Sequence, residues 1–190
     1  MHSQVLTEAL FEHMMAQSLA LKDLDTLKRE RWTSLYASAD KMKLKPSSKI
    51  PGLGIKAADE LLKVHVSYGP VVQKLLKKFN KGSRRSWGVK GLAHITGGGF
   101  VDNIPRVLPE GCNAVIMHGT WDVLPIYELL QASGKVSDAE MHQVFNMGIG
   151  MVVIVREDQS AGVLRSIRAQ KMNAWEIGFI DSGDRKVQLA

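Results

Sequence analysis

Residues 94–106 read HITGGGFVDNIPR, and the three consecutive glycines in this stretch require a structural reason. Glycine loses more backbone entropy on folding than any other residue and adds no side chain to a core. Gly97, Gly98 and Gly99 follow an apolar run that reads as a strand, so they would expose consecutive backbone N–H groups at its end. A concave row of such groups binds phosphate or a similar anion. The stretch predicts an anion site, although a tight turn without a ligand explains the glycines equally well.

Polar side chains on both sides of the glycines are candidates for the same site. Residues 101–108 are predicted to start a short helix, and a helix N-terminus attracts anions. Asn103 offers an amide that would orient a ligand, and Arg106 offers a two-pronged guanidinium to a phosphate or carboxylate. His94 is close enough in sequence to line the same pocket, while a purely structural hydrogen-bonding role for this histidine stays open.

A second candidate segment, FNMGIGM at residues 145–151, places a polar residue between a helix and a strand. Asn146 ends the predicted helix, and Gly148 and Gly150 open the strand. Two interpretations stay open. The segment is an ordinary helix exit followed by close strand packing, or the Asn146 side chain points into the cleft of the glycine turn.

Length and composition exclude several classes of protein. The 190 residues are enough for one well-buried domain, or for a domain with an extended arm. No apolar run reaches the length that crosses a bilayer, so we expect no membrane partner. The N-terminus has no secretory signal pattern and Cys112 is the single cysteine, which together predict a cytoplasmic protein. The histidines and the cysteine do not have zinc-site spacing, and no metal site is predicted.

The net charge of +6 has two interpretations. Much of the basic excess lies between Lys41 and Lys90, and a basic surface concentrates anions such as RNA, nucleotides or phosphorylated metabolites. Solvated side chains on helix faces and loops account for the same excess. Few aromatic residues accompany the basic runs, which argues against a nucleic-acid partner because single-strand binding uses aromatic stacking platforms.

Apolar periodicity and turn residues divide the chain into helices and strands. Residues 3–38 read as helix, and residues 41–54, with Pro46 and Pro51, read as a connector. The predicted helices beyond it cover residues 57–79 (bent or broken at Gly69-Pro70), 124–133, 138–145 (capped by Ser137) and 159–170. The predicted strands cover residues 89–95, 114–117, 148–155 and 175–180. The third of these strands is continuously apolar, which predicts burial on both faces. The fold class is therefore α/β (α+β), with helices packed against a mixed sheet, preceded by a helical N-terminal arm.

Several motifs in one order carry a family resemblance. They are VKGLAHITGGGFVDNIPRVLPEG at residues 89–111, W-D-x-x-P-I-Y at 121–127, VSDAEMHQVFNMGIGMVVIV at 136–155 and WEIGFI at 175–180. Together they resemble the C-terminal domain of the aminoimidazole ribonucleotide (AIR) synthetase family, the phosphoribosylformylglycinamidine cyclo-ligases. The likeness is close from Gly88 to the C-terminus and extends more weakly back through IPGLGIKAADELLKVHVSY at residues 50–68.

The resemblance implies a function in purine biosynthesis. Members of the family use ATP and Mg²⁺ to close the ring of formylglycinamidine ribonucleotide, giving aminoimidazole ribonucleotide, ADP and phosphate. It implies that His94 acts in catalysis. It also implies that the ribonucleotide or its phosphate is bound by Thr96, Gly97, Gly98, Gly99, Asn103, Arg106, Asn146 and Gly148. An alternative is a non-catalytic ribonucleotide-binding or interaction module derived from the same domain.

The likeness ends toward the N-terminus. The family places most of its ATP site and its dimer surface in an N-terminal domain, and nothing in Met1–Ile50 resembles that domain. The Pro and Arg of the family's LL-x-P-x-R-x-Y segment are replaced by Val64 and Val66. We therefore predict a helical leader and linker at residues 1–50 and an AIR-synthase-like domain at residues 51–190. The expected partners are a ribonucleotide substrate and a separate ATP-binding half, or a second copy in a homodimer.

Overall fold

The structure, a computed structural model, describes residues 45–50 and 53–190, so the predicted helix at 3–38 lies outside the described residues. The chain divides into two compact units. Described residues of unit 1 are those up to His65 together with Thr96–Gly98 and Val123–Met147. Unit 2 contains Val66–Ile95, Gly99–Asp122 and Gly148–Ala190. Among the described residues, no helix combines the length and apolar character needed to cross a membrane.

The first sheet of unit 2 is an antiparallel pair covered by two helices. Strand β1 (Val89–His94) pairs with β3 (Met151–Val155), with Val89 opposite Val155 and His94 opposite Met151. Helices α2 (Gly69–Phe79) and α6 (Ser160–Arg168) each present one apolar face. The cluster that joins helices and sheet consists of the buried side chains Val71, Leu75, Val89, Val163 and Ile167. Burial of these aliphatic groups is the main stabilising contribution to this part of the unit.

Asn80 connects the end of α2 to the start of β1. Its Nδ2 donates to the Val89 carbonyl at 3.1 Å, and the Val89 N–H donates to its Oδ1 at 2.9 Å. The Gly88 N–H also donates to the Phe79 carbonyl at 2.9 Å. The side-chain amide thus imitates a backbone strand partner and closes the basic loop of residues 81–88 at its base.

The second sheet of unit 2 is mixed and has three strands. Its central strand β2 (Cys112–Ile116) runs antiparallel to β4 (Gly178–Ser182) and parallel to β5 (Val187–Leu189), so the strand order is β4-β2-β5. Buried Asn113 fixes the connection between the outer strands, because its Oδ1 accepts the N–H groups of Asp184 at 2.8 Å and Lys186 at 2.9 Å. One buried side chain therefore organises the backbone of this turn.

A short helix and a 3₁₀ turn, which follow β1 and precede β2 in the sequence, contribute completely buried side chains to unit 2. Helix α3 (Gly99–Asn103) continues directly into the turn Ile104–Val107. Phe100 and Ile104 are completely buried, and the Phe100 ring meets the buried Trp121 ring edge-on with centroids 5.6 Å apart. Such T-shaped pairs add to area burial, so the segment after the glycines is firmly anchored.

Unit 1 is helical in its described part. It contains α1 (Ala57–Leu61), α4 (Pro125–Gly134) and α5 (Asp138–Val144). The predicted cap is confirmed, because the Glu140 N–H donates to the Ser137 hydroxyl at 3.3 Å. Buried His142 places its Nδ1 2.9 Å from the Asp138 carbonyl oxygen, one turn earlier on α5.

The predicted fold class is confirmed, while several details of the elements were wrong. Residues 57–79 form two helices, so the bend or break predicted at Gly69-Pro70 is a break; it lies before Gly69, and Pro70 is in the first turn of α2, where its missing N–H costs nothing. The strand β3 is not buried on both faces; each of its residues is partly exposed. Its only strand partner among the described residues is β1. The last predicted strand begins at Gly178 rather than at residue 175, and β5 was not predicted.

Candidate functional site

The glycine turn follows β1 as predicted, and its conformation explains the residue choice. Gly98 has φ 95° and Gly99 has φ 54°, both in the left-handed region that residues with a Cβ avoid. Gly97 and Gly99 are buried. Helix α3 begins at Gly99, so the prediction of a strand, a glycine turn and a short helix is confirmed. The anion site itself stays a prediction.

The end of β1 and the start of β3 lie side by side in unit 2. His94 is opposite Met151, and the Ile95 N–H donates to the Gly150 carbonyl at 2.9 Å. Gly148 precedes this contact by two residues and has φ 93°. The antiparallel pairing therefore brings the two segments that the sequence analysis singled out to the same end of the sheet.

His94 is accompanied by an aromatic residue that the sequence analysis did not assign to the site. The Tyr68 ring meets the exposed His94 ring edge-on, with centroids 6.0 Å apart and planes inclined by 65°. A Cβ at Gly150 would overlap the Tyr68 hydroxyl, so Gly150 is glycine because Tyr68 lies against its backbone. Burial raises the pKa of the Tyr68 phenol, which stays a neutral hydroxyl at physiological pH.

Asn103 and Arg106 have different surroundings. The buried Asn103 donates its Nδ2 N–H to the Gly99 carbonyl at 2.8 Å, a bond that spans one turn of α3. It therefore stabilises the backbone conformation that follows the glycines. Arg106 is exposed on the 3₁₀ turn next to completely buried Ile104. An exposed guanidinium on an anchored turn is available to an anionic ligand.

Asn146 lies in unit 1, two residues after the end of α5. Its Oδ1 accepts a hydrogen bond from the Tyr127 hydroxyl at 2.6 Å, and the Tyr127 ring lies 5.6 Å from that of Phe145. Buried Met147 follows with φ 50°, a left-handed conformation that is uncommon for residues other than glycine. Strained backbone of this kind persists only where the surrounding structure enforces it.

The predicted site residues are distributed over both units. Unit 2 contains His94, Gly99, Asn103, Arg106 and Gly148, and unit 1 contains Thr96, Gly97, Gly98 and Asn146. No role was predicted for Tyr68 or Tyr127, although both lie in the family motifs at residues 50–68 and 121–127. A tyrosine inside a family motif is a signal that could have identified them, because the hydroxyl of a buried tyrosine usually makes a hydrogen bond.

The basic loop at residues 81–88, which is exposed from Lys81 to Ser86, forms a separate feature of unit 2. Lys90 donates its ammonium protons to the carbonyls of Arg84 at 3.4 Å and Arg85 at 3.1 Å. Arg84 also stacks over the Trp87 ring at 5.7 Å. These contacts use the basic side chains to hold the local turn, which supports the interpretation of solvated, structural charge.

The sequence of the chain is similar to that of a known protein family. Residues 47–189 match the family described as "AIR synthase related protein, C-terminal domain". The chain is 45% identical over 137 residues to the phosphoribosylformylglycinamidine cyclo-ligase of Caldicellulosiruptor bescii, covering 72% of this chain and 38% of that protein. It is 45% identical over 135 residues to the enzyme of the same name from Brevibacillus brevis, covering 71% and 37%.

A plant relative has a similar match. The protein of Vigna unguiculata named "Phosphoribosylformylglycinamidine cyclo-ligase, chloroplastic/mitochondrial" is 43% identical over 136 residues, covering 72% of this chain and 33% of its own length. The match falls in the C-terminal part of the relatives. The chain spans between a third and two-fifths of the length of these relatives.

Proposed function

Because the chain belongs to the AIR synthase related protein family through that family's C-terminal domain, we propose that it is the substrate-side part of a phosphoribosylformylglycinamidine cyclo-ligase. In the proposed reaction ATP phosphorylates the amide oxygen of formylglycinamidine ribonucleotide. An internal nitrogen attacks the activated carbon, and the oxygen leaves as phosphate. The products are aminoimidazole ribonucleotide and ADP.

The observation that carries the proposal is the glycine-rich end of the β1–β3 sheet in unit 2. Gly98 and Gly99 adopt left-handed conformations that set the backbone N–H groups after β1, and Asn103 holds the following turn in place. Preformed backbone donors and an exposed guanidinium at Arg106 suit the 5′-phosphate of a ribonucleotide. We assign phosphate binding to Arg106 and to the backbone after β1.

His94 is the proposed catalytic residue of this part. Its imidazole is exposed, adjoins the glycine turn in sequence and has one side against the Tyr68 ring. A neutral imidazole has one ring nitrogen with a free lone pair, so His94 is suited to accept the proton that the attacking nitrogen loses. Thr96, Gly97, Gly98 and Asn146 of unit 1 stay predicted substrate residues.

We assign the binding of ATP and Mg²⁺ to the part of the relatives that lies outside the region matched by this chain. Phosphoryl transfer needs carboxylates that hold Mg²⁺ and donors that hold the phosphates. We propose that a separate ATP-binding part supplies both, and that the reaction takes place in the cytoplasm. The ring closure is then expected from the two parts together and not from this chain with ATP alone.

A calorimetric titration of the 190-residue chain tests the proposal. We expect formylglycinamidine ribonucleotide to bind and the corresponding riboside, which lacks the 5′-phosphate, to bind at least ~tenfold more weakly, because charge-assisted hydrogen bonds contribute about 1.5–3 kcal/mol each. Equal affinity for the two compounds, or no heat with the ribonucleotide, would contradict the assignment. Binding without turnover in the presence of an ATP-binding part would favour the non-catalytic alternative.

A further inference from the structure

The main chain of Tyr68 is fixed at the start of α2 in unit 2. Tyr68 is the residue just before the helix, and its carbonyl accepts the Val72 N–H at 2.9 Å. The helix itself packs on the sheet through the buried side chains Val71 and Leu75. Because the helix is anchored in this way, the Tyr68 side chain starts from a defined point beside the sheet.

The tip of the Tyr68 side chain lies against bare strand backbone at Gly150. The Gly150 carbonyl accepts the Ile95 N–H at 2.9 Å, so this backbone belongs to the end of the sheet at which β1 finishes. A Cβ at Gly150 would overlap the Tyr68 hydroxyl and lie 2.9 Å from the ring carbon that carries it. The side chain is therefore held at both ends, by the helix start at its main chain and by glycine backbone at its hydroxyl.

The ring held in this way meets the imidazole of His94. His94 is exposed at the last position of β1, and the two ring centroids are 6.0 Å apart with planes inclined by 65°. An exposed imidazole without a neighbour samples several rotamers. An edge-on aromatic contact favours the orientation that makes it by about three- to tenfold over orientations that do not.

The contact between Tyr68 and His94 does not depend on charge from the tyrosine. Burial raises the pKa of the Tyr68 phenol, so the ring stays uncharged at neutral pH. It restricts the rotation of the imidazole without acting as a second anionic proton acceptor. A general base transfers protons efficiently only when its nitrogen is already within hydrogen-bond reach of the proton, so restricted rotation benefits the reaction.

We infer that Tyr68 is the positioning residue of His94: its ring, seated on Gly150, directs the imidazole toward the bound substrate. This inference rests on the proposed function, in which His94 accepts the proton of the attacking nitrogen. Tyr68 acts through His94, and the requirement for glycine at residue 150 follows from the place that the ring needs.

The test follows the imidazole Cε1–H signal of His94 by NMR in the 190-residue chain. The chain has six histidines, and the signal that disappears in His94→Gln is assigned to His94. Spectra are recorded at both limits of the imidazole titration, so that a shift seen at both limits reports the neighbouring ring rather than a change of charge. Tyr68→Leu removes the aromatic ring, and Tyr68→Phe keeps the ring without its hydroxyl.

Phe79→Leu is the matched control for a general effect of losing an aromatic side chain. Phe79 is also partly buried and lies at the opposite end of α2, where its ring packs near Gly162. Thermal melts verify that each variant is folded, and Tyr68→Met replaces Tyr68→Leu if leucine prevents folding. Methionine fills the same space with a flexible chain and has no aromatic ring.

We expect the His94 signal to move in Tyr68→Leu at both titration limits and to stay close to its wild-type position in Tyr68→Phe and Phe79→Leu. The reason is that an aromatic ring shifts the signal of a nearby proton, whereas an aliphatic side chain does not. Formylglycinamidine ribonucleotide should then shift the His94 signal in wild type and Tyr68→Phe, and shift it much less in Tyr68→Leu. Calorimetry should give affinities within about twofold for the three proteins, because a proton acceptor acts in the transition state rather than in ground-state binding.

Three results overturn the inference: a His94 signal that is the same in wild type and Tyr68→Leu, one that moves equally in Phe79→Leu, or one that responds equally to the ribonucleotide with and without the Tyr68 ring. If the ribonucleotide binds and any of these results is found, the proposed function stands and the role of Tyr68 fails. If the ribonucleotide binds to none of the proteins while removal of the ring moves the signal as expected, the proposed function fails and the orientation of His94 by Tyr68 stands.

Discussion

Substitution of Gly150 by alanine is expected to destabilise unit 2 through a single neighbour, Tyr68. The backbone of Gly150 lies outside the left-handed region, so alanine is conformationally acceptable there. A Cβ at this position would overlap the Tyr68 hydroxyl and would lie 2.9 Å from its Cζ and 3.2 Å from its Cε2. Normal carbon contacts begin at about 3.5 Å, so the ring or the strand must shift.

The magnitude follows from two opposing terms. Overpacking of a buried contact costs roughly 1–3 kcal/mol, whereas replacing glycine by alanine recovers about 0.4–1 kcal/mol of unfolded-state entropy. The net expected loss is about 1–2 kcal/mol in the free energy of unfolding. In a chain of this size that lowers the melting temperature by about 2–8 °C. Chemical denaturation in urea measures the free energy directly.

A double-mutant cycle identifies Tyr68 as the cause. Tyr68→Phe removes the hydroxyl but leaves the ring carbons in place, so it should recover only part of the Gly150→Ala loss. Tyr68→Leu removes the aromatic ring and should recover most of it. If Gly150→Ala costs the same free energy, within about 0.5 kcal/mol, in the wild-type and Tyr68→Leu backgrounds, the two residues are not coupled and the reasoning is refuted.

Three further predictions concern the phosphate site, the mixed sheet and pH. Arg106→Ala should weaken binding of formylglycinamidine ribonucleotide by ~tenfold or more and leave the melting temperature unchanged, because Arg106 is exposed. Arg165→Ala, an exposed arginine on α6, is the control. A lower melting temperature with unchanged binding would show that Arg106 is structural. Asn113→Ala should lower the free energy of unfolding, measured in urea, by about 2–4 kcal/mol, because it leaves the N–H groups of Asp184 and Lys186 without their acceptor. Asn113→Asp, which keeps an oxygen at that position, is the control. A loss under about 1 kcal/mol for the alanine variant would contradict this. The folded-state pKa of Tyr68 is raised from 10.0, so its contribution to stability is present below pH 10 and is lost as the pH rises through the raised value. The free energies of unfolding of wild type and Tyr68→Phe, measured in urea, should therefore converge as the pH rises through that value. A difference between the two proteins that does not change with pH would contradict this.

Local sequence signals predicted the parts of the fold that are determined locally. Three consecutive glycines indicated a turn, and Gly98 and Gly99 do adopt left-handed conformations. The Ser137 cap with Glu140 three residues later gave the start of α5 correctly, because the interaction involves only neighbouring residues. The resemblance then ordered these elements into one domain.

The errors arose where distant residues determine the structure. Strand β5 is three residues long, and its pairing with β2 joins residues more than seventy positions apart, which no local pattern reveals. The burial of β3 was overestimated because a continuously apolar strand was assumed to have both faces covered, whereas each of its residues is partly exposed. Residues 63–68 include apolar side chains like those of the flanking helices, so periodicity did not show that the break covers these residues rather than Gly69-Pro70 alone.

The site was predictable only in part for the same reason. His94 and Arg106 could be proposed because they lie beside the glycine turn in sequence. The contact between His94 and Tyr68, and that between Asn146 and Tyr127, each connect segments separated by nineteen or more residues. Only the folded chain places these tyrosines next to the residues that they orient.

The hydrogen bonds between the Asn80 amide and Val89 separate the sequence of the basic loop at residues 81–88 from the packing of the domain. Both ends of the loop are held by hydrogen bonds that do not involve its tip. Changes of length or charge within it are therefore separated from the packing of α2 and β1. Such a loop can gain or lose basic residues over evolution, or accept an inserted reporter peptide, while the domain beneath it keeps its structure.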